Sequence, residues 1–170
     1  MAPVVGLRPV AGEDLPQLLR LLSDPDAAGE FQWFGHREDR AHQVERRWHE
    51  DGLIGAEQSW LAVTANDELA GWVTWLPVAR TSGAIEIGIA LFPEHRGHGV
   101  GSDAQRQLVS YLFATSIVHR LPAGTEVDNL AEQRCLEKIG FWREGVVRGV
   151  TFRAGQWRDS VLYGITRDDL

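Results

Sequence analysis

The segment Pro93-Glu94-His95-Arg96-Gly97-His98-Gly99-Val100-Gly101 constrains this chain more than any other. It follows an apolar run ending at Phe92 and leads into Val100, Ala104, Leu108 and Leu112, an i, i+4 row that predicts a helix to about Thr115. Alternating glycines where a strand feeds a helix leave the helix's first N–H groups accessible. Those groups carry partial positive charge and admit an anion without side-chain clash. With Lys+Arg 17 against Asp+Glu 24 the net charge is −7, the wrong sign for coating nucleic acid or anionic lipid. Any anion must therefore be held locally, and Arg96 offers a mobile charge beside the glycines. The plain alternative is a turn that is rich in glycine because it is tight.

Two better-known phosphate loops do not fit. A Walker loop needs Gly-Lys-Ser/Thr, and the turn has no Lys. Gly99 to Ala104 matches G-x-G-x-x-A, but the dinucleotide fingerprint sits directly at a strand end with an acidic residue about 20 positions later. Here Pro93 to His98 intervene, and Glu126 and Asp128 come too late.

The rest of the chain supplies a frame for this turn. Val5–Val10 predicts a strand, and Leu15, Leu18, Leu19 and Leu22 predict a helix stopped by Ser23-Asp24-Pro25-Asp26. Residues 27 to 36 read as a loop carrying Phe31, Trp33 and Phe34, and 37 to 50 as a surface helix with Ala41, Val44 and Trp48 as its apolar stripe. Ser59–Ala65 and Leu69–Leu76 predict a hairpin across Asn66-Asp67-Glu68, and Ala84–Phe92 a further strand. Leu121–Val127 predicts a strand, and Asn129–Ile139 a helix with Asn129 and Glu132 at capping-box spacing and Gly140 at the stop. Val146–Phe152 and Trp157–Ile165 predict a closing hairpin. A chain of 170 residues is room for one domain, residues 1–170, of α+β class. The single Cys excludes an internal disulfide framework and a Cys-rich zinc site, and His95 and His98 lack a third ligand, so no metal is expected. No run approaches the ~20 apolar residues of a membrane span, and the N-terminus lacks a basic region followed by an apolar core. A cytoplasmic protein without membrane or nucleic-acid partners is the expectation; a homodimer is compatible with it.

Arg96-Gly97-His98-Gly99-Val100-Gly101 resembles the acyl-CoA pyrophosphate loop of the GNAT N-acetyltransferase superfamily, R/Q-x-x-G-x-G/A between a strand and a long helix. Glu137-Lys138-Ile139-Gly140-Phe141 is similar to the family's second helix ending, and Gly155, Trp157 and Asp159 resemble the branch that acetylates ribosomal-protein N-termini. The resemblance covers almost the whole chain, least of all residues 24 to 58, where the family selects its acceptor. It implies a three-layer fold with a mixed, mostly antiparallel central sheet of about seven strands and helices on both faces. It also implies acetyl transfer from acetyl-CoA to a primary amine within a ternary complex, the acceptor being a protein N-terminus or a small amine. Arg96, Gly97, His98, Gly99, Val100 and Gly101 would hold the pyrophosphate. Leu91 and Phe92 would offer backbone groups to the pantetheine arm, and Asn129 would touch the cofactor or serve only as an N-cap. Two departures stand out: Leu136 occupies the place of the family's usual Tyr acid, and Glu132 stands where the ribosomal branch usually has Ser, facing an anionic cofactor.

Acyl transfer needs a neutral amine, a donor for the developing oxyanion and a tolerable leaving group. Deprotonating an α-amine of pKa ~8 at pH ~7 costs about 1.4 kcal/mol, a lysine-like amine about 4.6. A modest base suffices for the first, and Glu86 is the leading candidate. In its strand Ile85, Ile87, Ile89 and Leu91 point one way, while Glu86, Gly88, Ala90 and Phe92 point the other, a carboxylate beside small residues. Asp159 is the rival base; alternatively it bonds a loop backbone. Cys135, on a helix stripe with Ala131 and Ile139, reads as an inert thiol. Phe31, Trp33, Phe34 and Trp157 are candidates for an acceptor wall. A decayed CoA-binding sensor and a dinucleotide-binding enzyme remain as alternatives.

Overall fold

A computed structural model describes residues 2–35, 40–78 and 83–170. His36 and the first residues of the expected helix 37 to 50 lie outside the described residues. The chain runs β1 (Val5–Arg8), α1 (Leu15–Ser23), α2 (Pro25–Ala28), α3 (Arg40–Asp51), β2 (Ser59–Ala65), β3 (Glu68–Pro77), β4 (Ile85–Leu91), α4 (Val100–Thr115), β5 (Arg120–Glu126), α5 (Leu130–Lys138), β6 (Trp142–Arg153) and β7 (Gln156–Thr166).

Local chemistry explains the turns. Asn66 and Asp67 both adopt positive φ (52° and 68°), as a two-residue I′ hairpin between β2 and β3 requires. Asn66 then exchanges hydrogen bonds with Val4 through its side chain (2.9 Å) and its backbone N–H (2.8 Å), docking β1 onto the hairpin. Asp24 caps α2 by accepting from the Asp26 N–H, so the segment expected as loop from residue 27 begins with a helical turn.

The expected layers are present, with one difference. Among the described residues seven strands form two antiparallel sheets, β1-β2-β3-β4 and β5-β7-β6, rather than one. β4 and β5 run parallel, and among the described residues the bonds that join them lie at their start, at the Ala84–Arg120 bridge and the His119 N–H on the Gly83 carbonyl (3.0 Å). Beyond that point they diverge. Pro122, unable to donate to a ladder, suits the edge position that β5 takes.

Alternation divides the β2–β4 side chains between two cores. Val63, Val73 and Ile87 pack with Val100, Ala104, Leu108 and Leu112 of α4, the row whose spacing predicts this helix, and with Leu136 and Tyr163. On the opposite face Trp60 and Trp72 stack at 4.5 Å and meet Leu15, Leu18 and Leu21 of α1 and Val44 of α3. Trp48, on the apolar stripe of α3, donates its indole N–H to the Val10 carbonyl at 2.8 Å and packs against this second core. Among the described residues no helix is long and apolar enough to cross a membrane.

Candidate active site

The divergence of β4 from β5 opens the cleft that the glycine turn overlooks. One helical turn, Pro93–His95, follows β4; Gly97 (φ 77°) and Gly99 (φ 86°) then reverse the chain, and Gly99 caps α4. A Cβ at either glycine would meet nothing within 4 Å, so the space over the turn is open, and it is the positive φ that favours glycine there. The first N–H groups of the 16-residue α4 border that space. The cradle thus fits the pyrophosphate of acetyl-CoA. His98 and Val100 are placed differently: His98 is exposed, and the Val100 side chain is core, leaving its backbone for a ligand.

Arg96 differs from the mobile charge expected of it. Its guanidinium donates to the carbonyls of Leu91 (2.9 Å), Ala27 (2.7 Å) and Ala28 (2.9 Å), which ties α2 to the end of β4. Gly29 (φ 77°) makes this contact possible, since a Cβ there would lie 2.5 Å from Nη1.

A cavity of about 490 Å³ extends from Gly97, Gly99 and Gly101 past Leu91 and Ile89 to Asn129 and Glu132. A second, of about 250 Å³, fills the cleft between Ile87–Ile89 of β4 and Ala123–Glu126 of β5. Phe31, Gln32, Ile89, Asn129 and Glu132 border both, which marks where they meet. The Phe92 N–H is bonded to the Ala70 carbonyl in β3 at 2.9 Å, so strand alternation turns the backbone groups of Leu91 and Ile89 toward the cleft. Phe92 is therefore a correction: its amide serves the sheet and its ring is buried in the second core, whereas Ile89, two residues from Leu91, takes the cleft position.

At the meeting point the α5 N-terminus supplies most of the polar groups. Asn129 acts as the N-cap, accepting from the Glu132 N–H at 3.3 Å and donating to Thr125 Oγ1 at 2.9 Å. The Glu132 carboxyl is hydrogen-bonded to Gln105, and burial pushes its pKa up to about 7. Cys135 Sγ accepts from Ser102 (3.3 Å) and Gln105 (3.2 Å) at the cavity wall. Burial and the nearby Glu132 carboxylate raise that thiol to about 11, which keeps it protonated at neutral pH. Leu136, at the expected Tyr position, is fully buried in the first core.

The two candidate bases are placed apart. Glu86 is half-buried opposite Leu76, two residues before Gly88 of the second cavity; burial raises its carboxyl pKa. Asp159 accepts the Gly149 N–H at 2.8 Å, holding the irregularity in β6, which is the loop-backbone role weighed against catalysis. Of the aromatic candidates, Phe31 borders the first two cavities and Phe34 the second and a third. Trp33 lines only that third cavity, about 650 Å³, whose wall also holds Phe152 and Arg153. Trp157 lies outside all three: it is 66% exposed and meets Phe152 edge-on at 5.3 Å. The hairpin tip projects beyond the core, so its strand face is covered only from Val161 onward.

Sequence reasoning did not find the pair between the second and third cavities. Arg153 Nε and Nη2 each lie 2.7 Å from a Glu126 carboxylate oxygen, and both residues are buried; Nη1 reaches Glu30 at 3.5 Å. The guanidinium also lies 5.2 Å from the Phe31 ring centre. Arg153 and Glu126 are far apart in sequence, and they are joined because β7 pairs with β5 on one side and β6 on the other. Ile89 did carry a signal, its alternation with Leu91.

Among curated proteins, the probable N-acetyltransferase YjcK of Bacillus subtilis is 35% identical over 62% of this chain and 59% of its own length. The [ribosomal protein uS5]-alanine N-acetyltransferase of Escherichia coli is 29% identical over 60% of this chain and 53% of its own. This chain therefore spans less than two thirds of either relative. Among solved structures, spermidine N-acetyltransferase from Vibrio cholerae in complex with CoA and spermine superposes with a TM-score of 0.81 over 97% of this chain and 96% of that one, at 20% identity. The family model described as Acetyltransferase (GNAT) domain matches residues 5–142, from β1 to the start of β6 and across the whole glycine cradle, and the chain belongs to the GNAT acetyltransferase family.

Proposed function

We propose that this acetyl-CoA-dependent N-acetyltransferase passes its acetyl group to the α-amine of a peptide or protein, by direct attack while both substrates are bound. The observation that carries this reading is the continuity of the two cavities along the open edge of β4, from the glycine cradle to the aromatic segment. The N–H groups from Gly97 to Gly101 would hold the pyrophosphate, and the Leu91 and Ile89 N–H groups the pantetheine arm, since the two carbonyls already accept from Arg96 and Gln32. When bound, the cosubstrate supplies an activated thioester. An amine entering from the second cavity would approach past Gly88, with Glu86 further along the same strand face to accept its proton. The third cavity, open and bordered by Trp33, Phe34 and Phe152, would take the residues that follow the amine. An α-amine suits these groups because its deprotonation near pH 7 costs about 3 kcal/mol less than that of a lysine-like amine.

Calorimetry with acetyl-CoA, followed by turnover on an alanine-starting peptide and on spermidine, tests the reading. Faster acetylation of the peptide is expected. Preference for spermidine would replace the acceptor class, and binding without any transfer would favour a CoA sensor. Glu86→Gln is expected to lower turnover by about tenfold or more with acetyl-CoA affinity unchanged. Unchanged turnover would remove Glu86 from the reaction.

A further inference from the structure

One carboxyl group stands at the meeting point of the cavities, and the reading above gives it no task. Glu132 borders both, together with Ile89 on the β4 edge. It occupies the first turn of α5, and its partner Gln105, 1% exposed, anchors it from α4. A thioester lying along the β4 edge from the glycine cradle would pass this residue where the two cavities meet. Leu136, one turn further along α5, is fully buried and has no proton to give.

We propose that Glu132 is the catalytic acid that protonates the departing sulfur of coenzyme A, an inference that rests on the acetyltransferase reading. As the amine nitrogen bonds to the carbonyl carbon and the carbon–sulfur bond breaks, the bond's electron pair goes to sulfur. Sulfur takes the proton of Glu132. Glu86 has taken one proton from the ammonium before attack; the carboxylate left at Glu132 recovers the second from the nitrogen that has become the amide, so the products are the acetylated amine, the free thiol and one proton released from Glu86. Burial holds the carboxyl near pKa 7, which keeps an appreciable share protonated at neutral pH and lessens the clash with an anionic cosubstrate. The charged and titratable groups bordering the same space are Glu30, Arg96, Glu126, Arg134, Cys135 and Lys138. Arg96 and Glu126 are tied to other partners.

Two measurements on Glu132→Gln test this. A carboxyl whose pKa rises from 4.5 to about 7 on folding contributes stability that is present below about 4.5 and lost as pH rises to about 7. The variant should therefore gain thermal stability relative to the parent between pH 5 and pH 7, and a difference independent of pH would overturn the proposal. With acetyl-CoA and the better of the two acceptors, kcat should fall about tenfold or more while KM for acetyl-CoA stays within about twofold. The alkaline decline in the parent's kcat profile should be absent from the variant. An unchanged kcat, or a loss confined to KM, would overturn the acid role while leaving the acetyltransferase reading intact. If the parent binds acetyl-CoA but acetylates neither amine, both fall; if it does not bind acetyl-CoA, the failure lies with the reading of the cradle.

Discussion

Arg153→Ala is expected to lower the stability of this protein by about 3–5 kcal/mol, because it strands the buried Glu126 carboxylate without its partner. Both side chains are nearly inaccessible (7% and 6% exposed), and the guanidinium makes two 2.7 Å bonds to that carboxylate. Most of the cost is the desolvation of an unpaired charge and not the lost attraction, so replacing both partners by apolar residues should recover much of it. At this chain length the single substitution corresponds to a fall in Tm of about 10 °C. A drop of less than about 2 °C would show that Glu126 finds water or another donor. The variant should also bind its acceptor less well, since Arg153 holds Glu30 and lies against Phe31, both on the segment that borders the cavities.

Gly71→Ala is the second large effect. Gly71 has φ 149°, and a Cβ built there lies 2.1 Å from the Ala90 carbonyl oxygen and 2.8 Å from the Leu91 Cα. Both are backbone atoms of β4, so relief requires the strand itself to move. The expected loss is about 3 kcal/mol or more, combining the strained conformation with the overlap. Because Leu91 and Ile89 line the cleft, acetyl-CoA affinity should fall with stability. Gly88→Ala is the matched control. Its Cβ meets only the Thr74 hydroxyl, at 3.0 Å, and a rotatable side chain can yield, so a loss within about 1 kcal/mol is expected. Equal Tm values for the two variants would refute the close-approach account.

The contrast between these glycines bears on how much of the molecule was legible beforehand. The α4 row, the β2–β3 turn and the Asn129 cap follow from spacings within about one helical turn or from the chemistry of two residues, and each recurs in the structure. The glycine cradle was legible for the same reason, since its conformation belongs to the backbone of consecutive residues. Arg96 was legible as a charge but not as a clamp, because its acceptors, the carbonyls of Ala27 and Ala28, lie in another part of the chain. Trp157 lies at the start of a strand in the sequence and in the structure, yet how far the core extends along that strand is set by neighbouring elements.

Periodicity, turn residues and the glycine turn by themselves determined the order of elements, the alternating faces of the strands and the anion cradle at the start of α4. These depend on interactions within a few residues, which any chain with the same local pattern would make. Tertiary structure alone decided where β4 parts from β5, and with it the cleft and the side chains that meet there. The same Glu132 that reads in sequence as an awkward charge near an anionic ligand becomes a carboxyl of pKa about 7 once the packing around the α5 N-terminus desolvates it. That shift is a property of desolvation by residues distant in sequence, which no spacing within α5 encodes.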